Sequence, residues 1–111
     1  MLNQVILIGR LVTDPEIKKL DDNKKLSFVT LAVQRSFKNQ DGVYDTDFIS
    51  VVLWEGIALA ASTYLKKGCL VALKGRIQSY KKEINGTNVT LHDVIAEKIT
   101  YLDKNYPKEK E

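Results

Sequence analysis

Among its 111 residues the chain has one cysteine, one histidine and two prolines, and the first two scarcities close off classes of protein. Cys69 has no partner for an internal disulfide. With only His92 to join it, it can build neither a zinc site nor a conventional catalytic triad. That leaves Cys69 as a small buried hydrophobe. The glycines at positions 9, 42, 56, 68, 75 and 86 are scattered, so the chain carries no P-loop and no dinucleotide-binding fingerprint. No apolar run approaches the ~20 residues a membrane helix needs. The stretch Met1 to Leu11 places Arg10 too late, and its apolar run is too short, for a secretory signal. A cytoplasmic protein with no membrane association is expected, in which the sequons at Asn85 and Asn88 stay unglycosylated. Acid pairs such as Asp21 with Asp22, or Asp14 with Glu16, lie in turn-like segments with no apolar pocket nearby to shift their pKa values. No catalytic set, metal or cofactor is expected, and the chain does not read as an enzyme.

What is present fits a single small domain. At 12.6 kDa, 44% hydrophobic and 28% charged, the chain is long enough to bury one core and too apolar to be disordered. The net charge of +3 and a pI near 8.9 lean weakly towards anionic partners. Residues 1–103 are read as the domain, and 104–111 as a short polar tail expected to fray.

The stretch Asp47 to Arg76 organises the rest. From Asp47 to Glu55 the residues alternate, with Ile49, Val51 and Leu53 on one face and Phe48, Ser50, Val52 and Trp54 on the other, as a pleated strand requires. The period then changes. Ile57, Ala61, Tyr64 and Leu65 form a helical stripe, which Lys66, Lys67 and Gly68 end. Cys69 to Tyr80 is again a strand, with Val71, Leu73, Gly75 and Ile77 opposite a largely polar, basic face.

Asn3 to Leu11 opens the chain with a strand that is apolar on both faces. It is either an ordinary core strand or one whose second face a neighbouring subunit covers. Glu16 to Lys25 reads as a polar loop or hairpin arm whose charges are simply solvated, and Leu26 to Phe37 as the longest strand. Lys38 to Gly42 is a turn cluster, and Asn85-Gly86 is a strong hairpin signal leading into a last strand, Asn88 to Glu97. The prediction is an all-β fold, a five-stranded Greek-key barrel of the oligonucleotide-binding (OB-fold) type, with one helix between its third and fourth strands.

One constellation stands out: Arg35, Phe37 and Lys38; Phe48 and Trp54; Lys74, Arg76, Tyr80, Lys81 and Lys82. Rings stack on bases without reading them and cations follow phosphates, which is the physics of sequence-tolerant binding to single strands. Phe28 leads an apolar strand and is assigned to the core. Phe48 and Trp54 are placed on the binding face, because Ile49, Val51 and Leu53 already take the inward positions.

These residues resemble the bacterial single-stranded DNA-binding protein family over nearly the whole chain. The resemblance rests on the run Asn3 to Leu11 with Asp14-Pro15-Glu16, on Leu31-Ala32-Val33 with Ser36-Phe37, and on Phe48 with Val51 through Trp54. Ala61 to Gly68, with Tyr64-Leu65-Lys66-Lys67, and Gly75-Arg76-Ile77 complete it. It implies an OB-fold homotetramer with single-stranded DNA wrapped around it, protecting the strand during replication, recombination, repair or DNA uptake. It places family stacking positions on Phe37, Phe48 and Trp54. A further family aromatic falls on Lys82, with Tyr80 the nearest ring. The family's acidic tip, ending Asp-Asp-Ile-Pro-Phe, has no counterpart before Glu111: either the sequence is cut short or the chain is a short paralogue, and without the tip the recruitment of repair and replication enzymes is in doubt. The second reading is a barrel used mainly as a protein adaptor in a replication-restart complex, with weak DNA binding.

Overall fold

A computed structural model describes residues 1–102; the expected polar tail, 104–111, lies outside them. The elements are β1 (Val5–Leu11), β2 (Lys18–Lys19), β3 (Lys25–Lys38), β4 (Tyr44–Trp54), α1 (Glu55–Tyr64), β5 (Leu70–Ile84) and β6 (Thr87–Tyr101). Five long strands form one sheet in the order β1-β5-β6-β4-β3, and β1 pairs with β3 through Arg10↔Ala32 and Leu11↔Leu31 to close it into a barrel. This is the expected OB-fold barrel, with its helix between the third and fourth long strands. The sequence reading missed one element. Within the polar segment, Lys18 and Lys19 pair with Leu26 and Lys25 and make β2 a two-residue strand on the outer edge of β3.

Closure depends on Gly9. There β1 crosses from β5 towards β3, and a Cβ at this position would collide with the carbonyl oxygen of Ala32. Gly75 plays the same part at a register shift between β5 and β6, where a side chain would strike the backbone of Ile95.

The core is the inward parity of each strand. Leu11, Val29, Leu31, Val51, Leu53, Val71, Leu73, Val94 and Ala96 are all buried. The helix lies against this core through Ala58 and Ala61, both 0% exposed, whose small side chains permit close approach. It ends at Tyr64, before the Lys66-Lys67-Gly68 run expected to end it. The chain is drawn off there towards β1. Lys67 N–H donates to Asp14 Oδ1 at 2.7 Å, Gly68 N–H to Leu11 O at 2.8 Å, and Arg10 Nη1 to Gly68 O at 2.9 Å.

Two hairpins project from the barrel. The β3–β4 turn is organised by Asn39, whose Oδ1 accepts from the N–H of Asp41 at 2.8 Å and of Val43 at 3.0 Å. The β5–β6 strands remain paired out to Ile84↔Thr87, so both run further than the sequence predicted. Asn85 (φ 52°) and Gly86 (φ 79°) connect them, the two consecutive left-handed residues that a tight hairpin needs.

Candidate nucleic-acid interface

The outer face of the barrel is set by strand register. Leu26 pairs with Trp54, Phe28 with Val52, and Ala32 with Phe48. Because cross-strand partners share a face, Phe28, Phe48 and Trp54 all stand outside. Trp54 is 36% exposed and Phe48 68%, in line with their expected placement. Trp54 is also the last residue before the helix, and Glu55 follows it in a left-handed conformation (φ 48°). The Glu55 carboxylate accepts the Lys25 N–H at 2.9 Å, which fixes this bend against the start of β3.

Phe28 corrects the sequence reading. It was assigned to the core, yet it is 58% exposed. Its parity matches that of Trp54, and the inward positions of β3 belong to Ser27, Val29 and Leu31, all buried. Only the pairing of β3 with β4 fixes which parity points outward. Lys18, on β2, holds its Nζ 5.5 Å from the centre of the Phe28 ring, so a charge read as merely solvated stands beside a ring.

Phe28, Trp54 and Tyr80 surround a cleft of about 350 Å³. Its floor is Leu26, Val52 and Ile95, all buried, and its polar lining is Gln78 and Asp93. A second opening, about 390 Å³, is lined by Phe48 with Val5, Leu7, Ile49 and Ile77 and shares Asp93 with the first.

The remaining expected residues divide into groups. Phe37, 65% exposed, and Lys38 lie on the β3–β4 arm, where Lys38 Nζ sits 5.7 Å from the Tyr44 ring centre. Lys81 and Lys82 are exposed on the β5–β6 arm, opposite Thr90 and Val89. Lys82 is not among the residues lining the Trp54 cleft, and the ring beside Trp54 is that of Tyr80. Lys74 is set apart from the rings, with its backbone across from Ile6 on β1.

The two arginines of the expected set, Arg35 and Arg76, are engaged by neighbouring side chains. Arg35 binds Asp47 through Nη2 at 2.8 Å and Nε at 3.1 Å, with Asp45 at 3.7 Å. The hydrogen bond and then the charge of Asp47 raise the Arg35 pKa, and the Arg35 hydrogen bond holds the Asp47 carboxyl below its ordinary value. Arg76 Nη1 donates to Gln78 Oε1 at 2.7 Å, and its Nε lies 3.7 Å from Glu97. Arg35 thus presents its fork to a carboxylate rather than to open solvent. Among the described residues, no three His, Cys, Asp or Glu side chains gather as a metal site would require.

A closed small barrel with one helix at its end and rings displayed on one outer face has the architecture of the oligonucleotide-binding barrels. The chain belongs to the single-strand binding protein family, whose model matches residues 2–102. It is 41% identical over 112 residues to single-stranded DNA-binding protein B of Bacillus subtilis, covering 99% of this chain and 97% of that protein. It is 43% identical to single-stranded DNA-binding protein 1 of Streptococcus pyogenes over 94% of this chain and 81% of that one. The single-stranded DNA-binding protein of Halalkalibacterium halodurans matches at 41% over 93% of this chain and 62% of its own length. Among solved structures, a Plasmodium falciparum SSB complex with ssDNA superposes with a TM-score of 0.82 at 26% identity, covering 93% of this chain and 96% of that one.

Proposed function

We propose that this protein binds single-stranded DNA by stacking bases on Phe28, Phe37, Phe48, Trp54 and Tyr80 and by contacting phosphates with lysines, above all Lys38, Lys81 and Lys82. It acts as a binding protein without catalysis, in the cytoplasm with the nucleoid. The observation that carries the reading is the cluster of part-exposed rings over a buried apolar floor, on a barrel of this family. Duplex DNA hides the base faces that such rings need. Among the described residues, no surface feature favours the adaptor reading over this one.

The test uses the chain's single tryptophan. Oligo(dT) should quench Trp54 emission, and duplex of equal phosphate content should do so far less. Emission unchanged at saturating oligo(dT) would exclude Trp54 from the contact.

We also propose a homo-oligomer, a tetramer, assembled through the outer face of β1. Ile6 and Ile8 are 69% and 56% exposed there, so in a lone chain this strand is not the ordinary core strand that was one of its two readings. Apolar side chains in such a row on an outer strand are suited to burial by another copy. Ile6→Glu should split the assembly. A stable monomer in sedimentation of the unaltered protein at micromolar concentration would refute the assembly.

A further inference from the structure

We infer that the cleft between Phe28, Trp54 and Tyr80 reads the edge of the base it holds and prefers guanine, so that one position on an otherwise sequence-tolerant surface discriminates. This rests on the single-strand reading above and adds to it a specificity that neither stacking nor phosphate contact supplies.

The polar lining is asymmetric. Gln78 and Asp93 are cross-strand partners on β5 and β6, and both line the cleft. The Gln78 Oε1 already accepts from Arg76 Nη1 at 2.7 Å, which leaves its amide nitrogen as the group free to donate. Among the described residues, no side chain or backbone group donates to the Asp93 carboxylate, so both of its oxygens are open acceptors. Side by side, the pair offers one donor and two acceptors.

The complement is an edge with one acceptor followed by two donors. Guanine has this in O6, N1–H and N2–H₂, and a carboxylate takes the last two as a bidentate pair. Cytosine and adenine each bring one amino donor next to a ring acceptor and satisfy a single carboxylate oxygen. Thymine is the worst match, because its one N–H is flanked by two carbonyls and the second meets Asp93 oxygen to oxygen. The buried floor of Leu26, Val52 and Ile95 keeps water from one side of these contacts, where hydrogen bonds discriminate most. Phe28 and Tyr80 supply the ring faces between which the base sits.

The experiment is a titration of Trp54 emission with three oligomers of equal length: all thymine; thymine with isolated guanines at every fifth position; and the same with hypoxanthine, which lacks the N2 amino group. The guanine oligomer is expected to bind at least ~5-fold tighter than all-thymine, the low end of what a good bidentate base contact discriminates. Hypoxanthine should fall between them. In Asp93→Asn, similar in shape and checked for unchanged circular dichroism, the guanine preference should shrink below ~2-fold. Phe28→Ala, which trims a ring at the surface, should weaken the guanine oligomer ~5-fold or more. Tight but equal binding of all three oligomers overturns the base-reading inference and leaves the single-strand reading standing. A guanine preference that survives Asp93→Asn, or hypoxanthine bound as well as guanine, also overturns it. Failure to bind any of the three defeats both.

Discussion

The two ends of the outer face hold similar residues in different circumstances. At the helix end, Phe28, Trp54 and Tyr80 enclose a buried floor and Lys18 stands by the Phe28 ring. At the far end, Phe37 and Phe48 are 65% and 68% exposed, and the nearby Arg35 is held by Asp47 and Asp45. Exposure alone therefore does not rank these rings. A ring packed along one side is already ordered and gives up little freedom when a base arrives, whereas a ring free on all sides must be ordered by the base itself. The same holds for the cations, since an arginine engaged by a carboxylate must exchange that partner for a phosphate.

The sharpest contrast lies within β4, between adjacent residues on opposite faces. Leu53, 1% exposed, should cost ~2 to 5 kcal/mol of folding stability on truncation to alanine, read from urea denaturation. Trp54→Ala should leave the fold largely intact and remove ~1 to 3 kcal/mol of affinity for labelled oligo(dT). Phe37→Ala should remove less than Trp54→Ala, and the reverse order would break the comparison between the two ends.

The charged groups give smaller effects, best read in the salt dependence of binding. Each phosphate neutralised on a single strand adds a slope of ~0.7 in log affinity against log salt, so the Lys81→Ala, Lys82→Ala double variant should flatten it by about 1.4. Arg35→Ala should change it less than either lysine does. Asp47→Asn should steepen it by up to ~0.7, because the arginine then keeps only the longer contact to Asp45. The pH behaviour follows from the depressed Asp47 pKa. Any stability the pair contributes is fully present above the unfolded-state value of an aspartate and is lost only as pH falls through the lower folded value. The effect of Asp47→Asn should accordingly be the same at pH 6 as at pH 8.

Much of this arrangement could be read from residue patterns. The alternation in β4 identified both its inward set and its outward rings, and the change of period after Gly56 located the helix, which in fact begins slightly earlier, at Glu55. Asn85-Gly86 marked its turn because few other residues accept two successive left-handed conformations. Where the reading failed, the deciding information was pairing. β3 begins apolar on both faces, so nothing local said that Phe28 points out and Ser27 in; the register Phe28↔Val52 decides it. Arg35 and Asp47 are twelve residues apart, and only the β3–β4 hairpin shows that they meet. The helix stop depended on ties from Asp14 and Leu11, which are invisible in the helix's own sequence.

The barrel is not equally well stitched around its circumference. β5 and β6 are paired from Val71↔Tyr101 to Ile84↔Thr87, but β4 and β6 meet in parallel only at Val51↔Val94 and Val52↔Ile95. This join, as short as that of β1 with β3, is where the wall should breathe, and amides along it should exchange with solvent before those of the β5–β6 ladder. Val52 and Ile95 are also the floor of the ringed cleft. A guest seated there rests on both sides of the join and acts as a rivet across it, so occupancy should slow exchange at Val52 and Ile95 most, tightening the barrel along one of its two short joins.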